Sequence, residues 1–227
     1  QRTHWHQRQQ SHHRLPPAPH RPDSKKKTFR ASELDLEQKR ELTSEHIART
    51  RHVSARRLVF VDEMGCQYNM TRTHARSPRG QRAFSKRPMK IGRRTLTVLA
   101  MLTSIGLEDC MTVNGGTDYE VFETFVQEIL VPRLVPGDVV IWDNLKAHQS
   151  KRARAMIEAA GAIVLFLPPY SPHLNPIELS FSKLKTMIRA REPRSRKQIE
   201  DALAECILLI DGKDALAWFG HCGYRTD

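Results

Sequence analysis

Long apolar runs are missing from the sequence. No stretch of the 227 residues approaches the roughly 18 consecutive apolar residues that a membrane-spanning helix needs. The first residues, QRTHWHQRQQSHH, are polar and basic, unlike a secretory signal peptide. These absences argue against a membrane protein and against a secreted one, so we expect a soluble, cytoplasmic protein.

Cysteine is scarce as well. The four cysteines form no C-x-x-C pair and show no spacing typical of a disulfide framework. They are Cys66, Cys110, Cys206 and Cys222. The pattern does not indicate structural zinc, and it favours reduced, mostly buried thiols.

Positive charge is the most prominent feature that is present. Lys and Arg number 37 against 25 Asp and Glu, which gives a net charge of +12. Such an excess favours a polyanionic partner, with nucleic acid as the leading candidate. A basic protein without such a partner is the alternative, because charge is only one of several features that nucleic-acid-binding proteins share.

Composition divides the chain into three parts. Residues 1–31 are rich in His, Arg, Gln and Pro and cannot bury a core, which predicts a flexible basic arm. The histidines of this arm offer only an adventitious metal site, because no ordering residues surround them. Residues 32–56 have mixed charges at helical spacing and are interpreted as a solvated connecting helix. Residues 57–227 are the predicted globular domain.

Apolar segments and amphipathic segments follow one another in that domain. Buried strands that precede alternating helices and strands predict an α/β fold with parallel pairing in its second half. Strands are predicted at 58–64, 94–104, 107–114, 138–144 and 162–168, and helices at 118–134, 150–161, 176–190 and 197–210.

Three acidic residues follow buried apolar segments. Asp62 ends the strand VFVDE, Asp143 ends VVIWDN, and Glu178 begins the helix after the proline-rich stretch LPPYSPHLNP. Ligand sites of open α/β sheets gather where strands end, so we expect the carboxylates to converge. Three acids at one point need positive charge, and oxygen ligands suit Mg²⁺ or Mn²⁺. Two such ions support phosphodiester chemistry.

Each acid has a structural alternative when it is considered alone. Asp62 or Asp143 can cap a following turn. Glu178 stands at the third position of a helix with Asn175 as N-cap and Pro176 as first residue, where it favours the helix dipole and completes a capping box. The combination of three acids on these elements of a basic chain favours the metal site.

Together the motifs resemble the DDE transposases of the mariner superfamily, on the side of the bacterial insertion sequence 630 type. The resemblance runs from about Leu58 to Tyr224, and 34 residues separate Asp143 from Glu178, as in the D-34-E pattern of this branch. The motifs are LVFVDEMG, SPRGQR, VVIWDN, LPPYSPHLNPIE and KLK.

The resemblance implies a ribonuclease H-like fold, with a mixed five-stranded sheet flanked by helices. It implies that Asp62, Asp143 and Glu178 are catalytic and bind two Mg²⁺ or Mn²⁺ ions. It further implies cleavage and strand transfer at transposon ends, double-stranded DNA as the partner, a homodimer, and a nucleoid-associated bacterial location.

Five further residues are assigned roles beside the acids. Asn144 is a candidate for orienting a metal-bound water or, alternatively, a turn residue that ends its strand. Lys185 lies two helical turns after Glu178 and is a predicted DNA contact on the same face. Arg79, Arg82 and His148 are also predicted DNA contacts, the alternatives being a plain basic turn and a surface histidine.

Helix-turn-helix domains usually precede the catalytic domain in this family and recognise the transposon ends. The arm before residue 32 shows no such motif, so we expect a truncated chain or a separate N-terminal DNA-binding polypeptide. Two other functions stay open. One is a ribonuclease H-like nuclease or resolvase without strand transfer, and the other is a catalytically silent DNA-binding remnant.

Overall fold

The computed structural model describes residues 36–88 and 95–226, so the predicted flexible arm at 1–31 lies outside the described residues. Helix α1, Leu36–Thr50, falls within the predicted connecting helix. It is not solvated along its whole length, because His46 and Thr50 are buried. The imidazole Nε2 of His46 lies 2.9 Å from the hydroxyl of Tyr224 near the end of the chain. The helix therefore packs on the rest of the fold.

One mixed five-stranded sheet forms the centre of the fold, as predicted. The strand order is β3-β2-β1-β4-β5, in which the first three strands pair antiparallel and β4 and β5 are parallel to β1. The strands are β1 Leu58–Gln67, β2 Thr95–Thr103, β3 Gly106–Asn114, β4 Val139–Trp142 and β5 Ile163–Phe166.

Helices cover both faces of this sheet. Within the described residues, no helix is long and apolar enough to cross a membrane. After α1 they are α2 Tyr119–Phe125, α3 Lys151–Ala159, α4 Pro176–Arg191, α5 Arg196–Ile207 and α6 Gly212–His221.

The helix predicted over residues 118–134 is not one continuous α-helix. It begins as expected, since the Asp118 carboxylate accepts a hydrogen bond from the Val121 N–H at 2.9 Å. After α2 the chain forms a π-type turn at Val126–Leu130 and a 3₁₀ turn at Val131–Arg133. Pro132, inside the second turn, explains the change, because proline has no N–H and clashes with the preceding turn of an α-helix.

The helix predicted over residues 197–210 ends at Ile207, and α6 was not predicted. Asp211 caps α6, accepting hydrogen bonds from the backbone N–H groups of Lys213 and Asp214 at 3.0 and 3.2 Å. Phe219 of α6 is completely buried. An N-cap Asp with a second acid three residues later was the available signal for this helix.

Side chains of β1 alternate between the two faces of the sheet. Leu58 and Phe60 pack with residues of α4, α5 and α6, whereas Val59 and Val61 pack with residues of α2 and α3. Phe60 is completely buried, which stabilises the fold by about 1.5–3 kcal/mol. Asp62 continues the series of Leu58 and Phe60 and therefore faces α4.

Candidate active site

Two neighbouring parallel strands bring Asp62 and Asp143 to one end of the sheet. In the pairing of β1 with β4, Phe60 lies opposite Ile141. Each aspartate comes two residues further along its own chain segment, so both reach the same end. Asp62 is still within β1, whereas Asp143 directly follows β4.

Glu178 reaches the same place from the first turn of α4. It lines a cavity of about 460 Å³ together with Asp62, Asp143 and the proline-rich loop, which we define as residues 167–176. The three predicted acids thus share one cavity. However, no three His, Cys, Asp or Glu side chains among the described residues lie close enough together to hold a metal ion. Mutual repulsion of carboxylates favours such separation.

Hydrogen bonds from two other elements fix the first half of the proline-rich loop. The side-chain amide of Asn144 donates to the Leu167 carbonyl at 2.6 Å, and Lys39 of α1 donates to the Tyr170 carbonyl at 2.7 Å. Tyr170 has a left-handed backbone with φ of 54°, a conformation that costs roughly 1–2 kcal/mol in a residue with a side chain. The surrounding bonds offset this cost.

The second half of the loop is held from beneath. The Tyr224 hydroxyl donates to the Leu174 carbonyl at 2.7 Å in a buried position, and the same hydroxyl contacts His46 of α1. A buried carbonyl without a partner is costly, so this contact specifies where the loop passes. The loop therefore delivers the beginning of α4 to a fixed point beside β1.

Asp62 is the most enclosed of the three acids, with 7% of its surface exposed. One carboxylate oxygen accepts from the Glu63 N–H and the other from the side-chain amide of Asn175, both at 2.7 Å. Burial raises the pKa of Asp62 to about 7; the Glu63 N–H opposes this rise, and the charges of Asp143 and Glu178 add to it. A nearby cation would reverse this effect and favour the carboxylate.

Asp143 has a more polar environment. Its Oδ1 accepts hydrogen bonds from Nδ1 of His148 at 2.6 Å and from the Leu145 N–H at 3.0 Å. Burial alone would raise the pKa of Asp143, but these two bonds outweigh it and hold the pKa below the usual value. Asp143 is consequently ionised under conditions in which Asp62 titrates.

His148 was predicted as a DNA contact, and its position is inconsistent with that role. Only 1% of the residue is exposed. Its ring packs against Phe122 at a centroid distance of 4.4 Å and against Trp142 at 6.1 Å. A side chain enclosed in this way cannot reach a phosphate, so its contact with Asp143 is what His148 offers the site.

Asn175 does not make the side-chain cap that the sequence predicted. It occupies the N-cap position of α4, but no capping hydrogen bond is formed. Its amide instead donates to Asp62, and its Oδ1 is buried without a hydrogen-bond partner among the described residues. The position of Asn175 in a proline-rich loop, directly before Pro176-Ile177-Glu178, was the only sequence signal for this contact.

The remaining predicted site residues are distributed differently. Asn144 lines the acidic cavity, but its amide is bound to a loop carbonyl, as expected for a residue that fixes a turn. Lys185 lies on α4 at the edge of a second cavity that also contains Arg72 and Arg189. Arg79 and Arg82 are exposed in the connection between β1 and β2 and line neither cavity. Their DNA contacts stay predictions.

The donor atoms around the cavity suit a hard divalent cation. Asp62, Asp143 and Glu178 offer carboxylate oxygens, and Asn175 adds a buried amide oxygen to which no described residue donates a hydrogen bond. Mg²⁺ and Mn²⁺ prefer such oxygen ligands, whereas zinc favours nitrogen and sulfur. The residues that are present therefore fit the predicted kind of ion.

The sequence of the domain matches a known family. The family model for DDE superfamily endonucleases matches residues 57–200, which is more than half of the chain. The chain belongs to this family. The matched span contains Asp62, Asp143, Glu178 and Asn175, so every acidic residue of the cavity lies within the DDE domain.

Solved structures of Mos1 transposase share the fold. A paired-end complex with the left transposon end aligns at a TM-score of 0.67 and 18% identity, covering 88% of this chain and 63% of that one. A mariner paired-end complex with Mg aligns at 0.60 and 18% identity, with coverages of 88% and 63%. The isolated catalytic domain aligns at 0.57 and 14% identity, covering 86% and 91%. These likenesses confirm the predicted ribonuclease H-like fold of the DDE domain.

The two complexes are longer than this chain, which spans 63% of their length. The catalytic domain alone is almost fully covered. Among proteins with curated descriptions, no sequence matches the chain.

Proposed function

We propose that this chain is the catalytic domain of a metal-dependent DNA transposase of the mariner superfamily, of the insertion sequence 630 type. It would cut DNA at transposon ends and join the ends to a target. The observation that supports this most directly is the shared cavity of Asp62, Asp143 and Glu178, two of them at neighbouring strand ends and one at a helix start.

In this proposal the three acids hold two Mg²⁺ or Mn²⁺ ions. When bound, such ions activate the attacking water or 3′-hydroxyl and neutralise charge on the leaving oxygen. Asn175 keeps the Asp62 carboxylate in place, and His148 does the same for Asp143. The proline-rich loop keeps Glu178 in register with both, since a ligand that drifts by about 1 Å can cost 100-fold in rate.

Double-stranded DNA is the proposed partner, in agreement with the net charge of +12. One Mos1 structure contains a left transposon end, and another contains Mg, which supports the same classes of partner and cofactor here. We further propose that the chain acts at the nucleoid as a homodimer that pairs two DNA ends.

A nuclease that stops after hydrolysis is the second candidate, and the endonuclease description of the family favours it. The two functions share the first step and differ only in whether a 3′-hydroxyl then attacks a second DNA. A silent DNA-binding remnant is less well supported, because all three acids are present and share one cavity.

Plasmid nicking and oligonucleotide joining test the proposal without knowledge of the transposon ends. We expect the chain to nick supercoiled DNA with Mn²⁺ and to join an oligonucleotide with a free 3′-hydroxyl to the plasmid. Asp143→Asn should reduce both activities at least about 100-fold, while Asp201→Asn, an exposed acid paired only with Lys197, should not. Nicking without joining would favour the nuclease. Nicking that does not depend on Asp143 would overturn both functions.

A further inference from the structure

A second cavity, of about 580 Å³, lies along the same pair of elements as the acidic one. It is bounded by the end of β1, the start of the β1–β2 connection and the later turns of α4. Four cations line it, and we call it the basic groove: Arg72, Arg87, Lys185 and Arg189. No Asp or Glu is among the described residues that line it.

The two groove cations of α4 differ from the other cations of that helix. Lys183 pairs with Asp214 of α6, and Arg191 pairs with Glu205 of α5 at 3.0 Å. Lys185 is half-buried and makes no ion pair or hydrogen bond with any described residue, and Arg189 donates none from its side chain. Among the described residues no ion pair therefore neutralises Lys185 or Arg189, which leaves positive charge at the groove.

The cation on the opposite wall is held in place by neutral groups. Arg87 donates to the side-chain oxygens of Asn69 and Gln67 at 2.9 and 3.4 Å. Neutral acceptors fix the guanidinium but leave its charge uncompensated. Like charges that face one another across a groove destabilise the fold unless an anion enters. The arrangement is thus suited to an anionic ligand.

Hydroxyl groups and a glycine complete the lining. Thr71, Thr73 and Ser85 lie in the groove. The Thr71 hydroxyl donates to the Glu192 carboxylate at 2.5 Å, whereas hydroxyls such as that of Ser85 contact phosphate oxygens in protein–DNA complexes. Gly65 lies at the groove within β1, and a Cβ there would approach the Thr95 methyl to 3.0 Å. A glycine inside a strand marks a place where another molecule comes close to the backbone.

The basic groove and the acidic cavity are built on the same two elements. β1 contributes Asp62 to the cavity and Gly65 to the groove, while α4 contributes Glu178 to the first and Lys185 and Arg189 to the second. At 1.5 Å per residue, these two cations lie about 10 and 16 Å along the helix from Glu178. A chain with regularly spaced phosphates fits this distance, whereas a single small anion would occupy only part of it.

We propose that the basic groove binds the sugar-phosphate backbone of the DNA strand beside the bond that is cut. This inference rests on the proposed function. It assigns Lys185, Arg189, Arg87 and Arg72 to phosphate contacts that position the strand along β1 and α4. The contacts are to the backbone, so they are independent of base sequence.

Fluorescence anisotropy with a labelled 30-base-pair duplex of arbitrary sequence tests the groove. We expect Lys185→Gln/Arg189→Gln to weaken binding about tenfold and to reduce the slope of log affinity against log salt by about 1.8, because two phosphate contacts are lost. The matched control is Lys151→Gln/Lys213→Gln, which removes two exposed cations that line neither cavity. It should change the affinity less than threefold. An equal loss of affinity in both double variants would contradict DNA binding in the basic groove.

Two further measurements separate the groove from the proposed function. Mn²⁺ affinity and the unfolding temperature should be unchanged in the groove variant, which excludes damage to the acidic cavity or to the fold. If binding depends on the groove but the parent never nicks DNA, the groove stands and the proposed function fails. If nicking depends on Asp143 but the affinity for the duplex does not depend on the groove cations, the groove proposal is wrong and the proposed function stands.

Discussion

The proline-rich loop and the connection between β1 and β2 flank the site, and they are built in opposite ways. The proline-rich loop is fixed by hydrogen bonds with α1, with the residue after Asp143, with the C-terminal segment and with Asp62 of β1. In the connection, residues 68–88, every residue from 72 to 87 is exposed. Its bonds to the rest of the fold lie at its ends, such as that from Arg194 to the Met70 carbonyl at 2.6 Å.

The difference matches what each loop must deliver. A carboxylate ligand works only within a few tenths of an ångström, so its loop must have one conformation. A cation that attracts a phosphate acts over several ångströms and tolerates movement. We therefore expect changes in the proline-rich loop to destroy activity and equal changes in the connection to modulate it.

A matched pair of insertions should show the difference between the two loops most clearly. Gly-Gly between Leu174 and Asn175 separates the Tyr224 contact from the Asp62 contact, and we expect nicking to fall at least 1000-fold, since 1 Å of misplacement costs about 100-fold. Gly-Gly after Gly80, in an exposed turn, should leave nicking within about threefold, because exposed loops tolerate lengthening. Equal losses in the plasmid assay would show that both loops need one conformation.

The buried carboxylate at the end of β1 should make the metal-free fold sensitive to pH. The folded pKa of Asp62 is about 7, whereas the ordinary pKa of an aspartate is 3.8. Between these two pH values the folded state therefore holds a proton that the unfolded state has lost. Stability is then greatest below about pH 4 and falls as pH rises from there to 7, by roughly 4 kcal/mol in total. Urea unfolding in EDTA at pH 5 and pH 8 measures the part of this fall above pH 5, about 2–3 kcal/mol. Asp62→Asn should remove it, and a fall that persists in that variant would assign it to another group.

Asn175→Ala should separate the rigidity of the proline-rich loop from its chemistry. It removes the donor to a buried carboxylate and costs about 2 kcal/mol in urea unfolding. Nicking should fall by more than the fraction of unfolded protein accounts for, because the Asp62 carboxylate loses its orientation. Ser171→Ala is the control, since its hydroxyl bonds only to the Pro169 carbonyl within the same loop. Equal effects of the two changes on nicking would contradict a special role for Asn175.

The smallest effect is expected in the middle of the connection. Arg79→Gln/Arg82→Gln alters two exposed side chains without partners among the described residues, so stability should stay within about 0.5 kcal/mol. If these residues contact DNA, the affinity for the duplex falls by only a few-fold, less than for the groove variant. A loss larger than that of Lys185→Gln/Arg189→Gln would make the connection the principal DNA contact.

Local patterns predicted much of the fold and two of the three acids. Asp62 and Asp143 end short apolar segments that are rich in β-branched residues, and this composition favours strands locally. The proline-rich stretch marked the position of Glu178 for a similar reason, since proline restricts the chain locally. These features depend on a few adjacent residues, so they can be predicted from the sequence without knowledge of the tertiary structure.

Tertiary contacts were the part that the sequence could not supply. Asn175 donates to a carboxylate 113 residues earlier in the chain, and nothing in the loop distinguishes that contact from a helix cap. His148 follows a polar turn and resembles a surface residue, but the aromatic rings of Phe122 and Trp142 enclose it. Helix α6 was missed because its apolar face is short and is completed only by the sheet.

The central claim is that acids from two separate strands and a helix form one metal site. Calorimetric titration of Mn²⁺ tests this claim most directly. The parent chain, Asp62→Asn and Asp143→Asn should be compared at pH 8, where Asp62 is ionised. The account predicts binding by the parent and its loss in both variants, although the two residues are 81 positions apart in sequence. Binding that survives both substitutions would place the ion elsewhere, with the N-terminal histidines as the first candidates. No binding by the parent, even with DNA present, would contradict a metal site between these acids.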